Sequence, residues 1–199
     1  MDFVLKIVDL YWIEQTIDND EDLCLHGHVF VQIGNTIVDT GTKDDWTLSV
    51  GAYRMLHSIY RNHCAEDLYT GYFLTCCGHG MWVDKKTGAL IISDCPYGLN
   101  WSVTHQGDNV HLTTEAGEQV TMALTTYREI VFAFADQIEA FYQSNSPKTF
   151  YDAESKNAFH QFWSEWQALR NGNTTEIFSK KQNSSIITKI ISRIKPNKT

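Results

Sequence analysis

Apolar and polar positions alternate at the start of the chain. Phe3, Leu5 and Ile7 stand opposite Val4, Lys6 and Val8, which predicts a β-strand over residues 3–14, with room for a bend. The run Asp18-Asn19-Asp20-Glu21-Asp22 is a charged loop. Alternation resumes over 23–33, with Leu23, Leu25, Gly27, Val29, Val31 and Ile33 on one face and Cys24, His26, His28, Phe30 and Gln32 on the other. Gly34-Asn35 predicts a turn into a short paired strand at 36–39. The period then changes to helical: Leu48, Ala52, Met55, Leu56 and Ile59 form one stripe over 48–62, with Asp44, Asp45 and Thr47 as candidate N-caps. Short strands with turns at 86–88, 107–109 and 116–118 predict an antiparallel meander from about Met81 to Met122. Thr126 and Glu129 form a capping box for a helix over 126–143 with the stripe Ile130, Phe134, Ile138 and Phe141. Asp152 caps another helix over 152–170, striped by Phe159, Phe162, Trp163, Trp166 and Leu169. The predicted class is α+β: a mainly antiparallel sheet with one inserted helix and two C-terminal helices packed on it.

Charge divides the chain further. Residues 1–170 carry 10 Lys and Arg against 23 Asp and Glu, a net of −13, whereas residues 171–199 carry 6 against 1, a net of +5. The reading is one domain over 1–170 and a basic, isoleucine-containing tail over 171–199, with the boundary at Asn171–Asn173. In the tail, Ile186, Ile187, Ile190, Ile191 and Ile194 share one helical face, and Pro196 ends it. Such a helix can rest on an anionic membrane, but packing on the acidic body is preferred. No run of about 18 apolar residues is present, and the N-terminus has an early acid and no small-residue cleavage site, so the expected location is cytoplasmic. An acidic body repels nucleic acid and attracts basic proteins. The five cysteines are odd in number, and structural disulfides are not expected.

Candidate chemistry is sparse. Cys24, His26 and His28 share a strand face, but their spacing does not suit one tetrahedral zinc. Cys76, Cys77 and His79 form a second cluster that can be read as a small metal site or as a thiol-dependent enzyme, with His79, His105 or His111 as base. Asp44-Asp45 and Glu66-Asp67 are adjacent acids in loops, where solvation is the ordinary outcome. The acid run at 18–22 imitates the start of a calcium loop, but Leu23 stands where the loop needs glycine and Val29 where it needs glutamate. The phosphate-binding glycine loops, the serine-hydrolase elbow and the zinc-protease motif are all missing. Pro96 and Gly98 mark a corner that is either structural or a rigid presentation of Tyr97, Asn100 and Trp101 to a partner.

Size, acidity and missing catalytic motifs together make residues 1–170 resemble small acidic bacterial immunity proteins, which bind a toxin domain and block its active site. The resemblance carries no residue roles. It implies a non-catalytic protein without cofactor, and a basic toxin domain, often a nuclease, as partner. Asp18, Asp20, Glu21, Asp22, Asp44, Asp45, Glu66 and Asp67 then supply charge, and Trp46, Tyr69, Tyr72, Tyr97 and Trp101 supply candidate aromatic contacts. The alternative is the small metal- or thiol-dependent enzyme at Cys76, Cys77 and His79.

Overall fold

The computed structural model describes residues 2–16, 18–64, 71–76, 80–93 and 97–180. In chain order the elements are β1 (Phe3–Tyr11), β2 (His26–Ile33), β3 (Thr36–Thr40), β4 (Trp46–Thr47), α1 (Leu48–Ser58), β5 (Leu74–Thr75), β6 (Met81–Val83), β7 (Leu90–Ile92), β8 (Gly98–Leu99), β9 (Trp101–Gln106), β10 (Asn109–Thr114), β11 (Gln119–Ala123), α2 (Leu124–Gln143) and α3 (Ala153–Arg170). Among the described residues every strand pairing is antiparallel. The class is α+β, as the periodicity predicts.

The elements gather into two compact units, residues 1–80 with 93–151 and residues 81–92 with 152–199. In the first, β1, β2 and β3 lie side by side, and β4 also pairs with β2. A second sheet runs β11-β10-β9, and β5 pairs with β8. The bend expected in the first strand is a bulge between Ile7 and Asp9, and the strand ends at Tyr11 before a short 3-10 turn over Ile13–Gln15. Phe3, Val29, Val31 and Ile33 point into a core shared with Trp46, Trp101, Tyr127 and Phe134.

Helix α1 crosses this core, and its sequence explains why it is buried almost all round. Beyond the predicted stripe, Ser49, Val50, Gly51 and Tyr53 are also buried. Gly51 allows this: a Cβ there would stand 2.5 Å from the Phe73 carbonyl oxygen. The helix stops at Ser58, four residues before the expected end. His105 Nε2 meets the Ser58 carbonyl at 2.8 Å, and His63 leaves to form a two-way backbone bridge with Val103. No candidate cap acts through its side chain at the start of α1.

Helix α2 begins at Leu124, directly out of β11. The Leu124 N–H donates to the Asp108 carbonyl at 2.8 Å, and no side chain caps the helix, so the expected Thr126–Glu129 capping box is not used. Its buried stripe is Tyr127, Val131, Phe134, Ala135 and Ile138, rotated from the predicted one.

The second unit explains why the predicted meander is interrupted. Its hairpin, β6 with β7, packs against α3, which carries the buried residues Ala158, Phe162, Trp166 and Leu169. The two C-terminal helices therefore pack on different sheets. Asp84 closes the hairpin turn by accepting from the Thr87 N–H at 2.8 Å and the Thr87 hydroxyl at 2.7 Å. Asp152 caps α3 as predicted, accepting from the Ser155 N–H at 2.7 Å. Asn171 is the C-cap, and residues 175–180 are helical again. The isoleucine tail over 181–199 lies outside the described residues.

Candidate functional site

The acids singled out in the sequence fall into two groups. The first is the run from Asp18 to Asp22, in which the Asp18 and Asp22 carboxylates are taken up by structure while Asp20 and Glu21 stay exposed. Asp22 accepts from the Ile13 N–H at 2.7 Å and the Cys24 N–H at 3.0 Å, and His26 Nε2 lies 3.4 Å away. Burial acts to raise the Asp22 pKa, but these donors outweigh it and hold the carboxyl below its ordinary value. Asp18 accepts from the Ser146 hydroxyl at 2.6 Å, which holds it low as well. The Asn19 and Asp20 carbonyls take the Lys148 ammonium at 2.6 Å and the Thr149 N–H at 2.8 Å. Lys148 stands 3.1 Å over the Trp12 ring, whose N–H donates to Asn145 at 2.9 Å. The Tyr142 hydroxyl donates to the Leu23 carbonyl at 2.8 Å and accepts from the Leu25 N–H at 3.1 Å. This clamp turns Cys24 inward beside Leu25, so Cys24 is buried and not on the face with His26 and His28. Burial pushes its thiol well up.

The second group lies on the outer face of β1 and β2 and on the loop that leads into β4. Register places Asp9 beside His28, and Tyr11 beside His26. Asp9 Oδ1 accepts from the His28 N–H at 2.9 Å and stands 2.8 Å from its Nδ1. The other ring nitrogen, Nε2, lies 3.1 Å from Asp45 Oδ1. The Tyr11 hydroxyl donates to the same carboxylate, and burial, with Asp45 and Asp9 adding to it, pushes the Tyr11 phenol well up. The Asp9 and Asp45 side chains nevertheless remain 50% and 63% exposed. An imidazole bearing hydrogen on both nitrogens satisfies both carboxylates at once. Gly27 lets the strands approach: a Cβ there would stand 2.2 Å from the Asp9 carbonyl oxygen.

Tyr97 is 57% exposed, and its hydroxyl donates to Asp44 at 3.3 Å. The charge of Asp44 raises the Tyr97 pKa. Trp46 is buried, contrary to its expected role as an aromatic contact. Its indole N–H donates to Asp39 at 2.5 Å, and its ring stacks under Tyr97 at 5.9 Å between centroids. Trp46 therefore holds Tyr97 in place. Trp101 is also buried, tilted against Phe73 at 4.6 Å. Asn100 is buried between His63 Nε2 at 2.8 Å and the Phe73 N–H at 3.2 Å. Of Tyr97, Asn100 and Trp101, the corner thus presents Tyr97. Trp101 turns inward as the first residue of β9, and Asn100, just before it, is held inside by His63 and the Phe73 N–H.

Tyr72 and Cys76 are half-buried. Glu66, Asp67, Tyr69, Cys77 and His79 lie outside the described residues. Among the described residues no group of three or more His, Cys, Asp or Glu is arranged to hold a metal ion. Of the three bases proposed for a thiol, the two described ones are engaged elsewhere. His105 meets Ser58, and His111 bridges Gln106 and Thr121.

Sequence reading missed Asp9, Tyr11 and His28 as members of one cluster. The His-x-His alternation was the available signal. Its meaning depended on a strand register that periodicity does not fix.

Among the described residues no helix is long and apolar enough to cross a membrane. No family model, curated protein or solved structure matches the chain.

Proposed function

We propose that this chain is a non-catalytic binding protein of the immunity type, which neutralises a basic toxin domain, such as a nuclease, by direct contact. The observation that carries the reading is the exposed Asp9–His28–Asp45 cluster with Tyr11, Asp44 and Tyr97 around it. Residues 1–47 contain ten acids and two lysines, a net of −8, equal to the charge of the whole chain. Carboxylates held on a strand face and a braced loop steer a basic partner into contact, and aromatic rings among them supply contact area. The alternative remains a small metal- or thiol-dependent enzyme at Cys76, Cys77 and His79, of which Cys77 and His79 lie outside the described residues.

The test is native mass spectrometry of the protein from its own cells with its gene neighbour co-expressed. The expected result is a complex with a second, basic chain whose association rate falls steeply with added salt. A lone chain at low salt, or a complex indifferent to salt, overturns the reading.

A further inference from the structure

The β1–β3 sheet buries one face and leaves the other open. Cross-strand register puts Val4 beside Gln32, Lys6 beside Phe30, and Ile37 beside Gln32 on the open face. Val8 joins them from the bulge. A Cβ at Gly41, the residue after β3, would stand 2.6 Å from Val8 Cγ2, so Val8 reaches across β2 toward that end of β3. Val8 is 52% and Ile37 54% exposed, and Val4 and Phe30 are half-buried. Apolar side chains thus stand on all three strands, interleaved with Gln32, Lys6 and Thr40, and apolar residues gathered on one sheet face offer contact area to a partner.

The face has a polarity. At its His28 end stand the exposed carboxylates of Asp9 and Asp45. Midway along β1, Lys6 interrupts the apolar positions, as charges do on sheets that avoid pairing with themselves. A second copy docked here would bring two segments of net charge −8 together, which like-charge repulsion opposes. A basic occupant is attracted by that net charge, with Lys6 the local exception on the face.

We infer that this open sheet face is where the basic partner docks, laying aliphatic side chains on Val8, Phe30 and Ile37 and directing lysine or arginine toward Asp9 and Asp45. The inference rests on the binding reading above and adds to it the place and the chemistry of contact.

The probe is a short peptide alternating leucine and lysine, titrated into the full chain while the valine and isoleucine methyl signals are followed by NMR. Controls alternate serine with lysine, and leucine with glutamate. The expected result is movement of the Val8 and Ile37 methyl signals, with the leucine–lysine peptide binding about tenfold tighter than the serine–lysine one, the scale of a few buried methyl groups. Val8→Thr combined with Ile37→Thr keeps β-branched side chains on the strands. It should erase that advantage, and thermal melting checks that the variant folds. The inference is overturned if those methyl signals stay still, if the double variant keeps the advantage, or if the leucine–glutamate peptide binds equally well. Failure of all peptides also overturns it. The broader reading is judged separately by whether a basic chain appears in the native mass spectrum.

Discussion

Asp22 and Asp45 are both carboxylates in acid-rich loops, and the fold puts them to opposite uses. Asp22 meets two backbone N–H groups and His26, and its side chain is nearly inaccessible. Asp45 meets only side chains, Tyr11 and His28, and stays open to solvent. The difference teaches that acidity in a sequence does not identify a binding surface. What decides is whether backbone donors reach the carboxylate first. Where they do, the acid organises the chain. Where they do not, its charge remains available to a partner.

The sharpest way to break this comparison is Asp22→Ala. It strands two backbone donors and removes the His26 contact, and we expect a loss of about 2–3 kcal/mol. Urea unfolding followed by tryptophan fluorescence measures it. A loss no larger than that of an exposed acid would erase the distinction between the two loops.

Lys148→Met comes next. The ammonium holds the Asn19 carbonyl and stands over the Trp12 ring, so the clamp on the acid run should weaken by about 1–2 kcal/mol. Partial burial lowers the Lys148 pKa, while Asp22, Asp18 and Asp20 pull it back up. Methionine keeps the aliphatic stem against the rings, so the loss reports the charge. Amide exchange at residues 18–24 should accelerate, while exchange in β9 and β10 should not.

A smaller effect is confined to acid. The Asp22 pKa is depressed below 3.8 in the folded chain, so the folded state favours the ionised form. That stability is present above the unfolded value and disappears as pH falls through the folded one. The window therefore lies below about pH 4. Asp22→Asn should unfold with a flatter dependence on pH there than the native chain. Equal slopes in the two proteins would show that the Asp22 contacts do not favour ionisation.

The same contrast explains what could be read from the sequence. The turn at Gly34-Asn35, the Asp152 cap and the alternation of β2 are local, and local chemistry fixes them. The pairing of Asp9 with His28 needs a register, and a register depends on which face of β1 is buried and where its bulge falls. The β6–β7 hairpin looks like part of a meander because nothing within it announces that it packs on α3, some 60 residues later. Trp46 and Trp101 resemble surface anchors for a related reason. Large aromatics suit cores and interfaces equally well, and only tertiary packing separates the two.

The smallest expected effect on stability is the most informative about function. Asp45→Asn keeps the shape of the side chain and an oxygen that can accept from Tyr11. The carboxylate it replaces is well exposed, so its contact with His28 is screened by water. Stability should change by less than about 0.5 kcal/mol. Association with a basic partner, by contrast, should slow, because steering depends on charge and not on the hydrogen bond that asparagine retains. Stopped-flow mixing at low and high salt separates the two contributions. The variant and the native chain should differ at low salt and converge as salt rises. A stability loss on the scale of Asp22→Ala would mean that the outer cluster is also a clamp, and the open face would then lose its claim to a binding role.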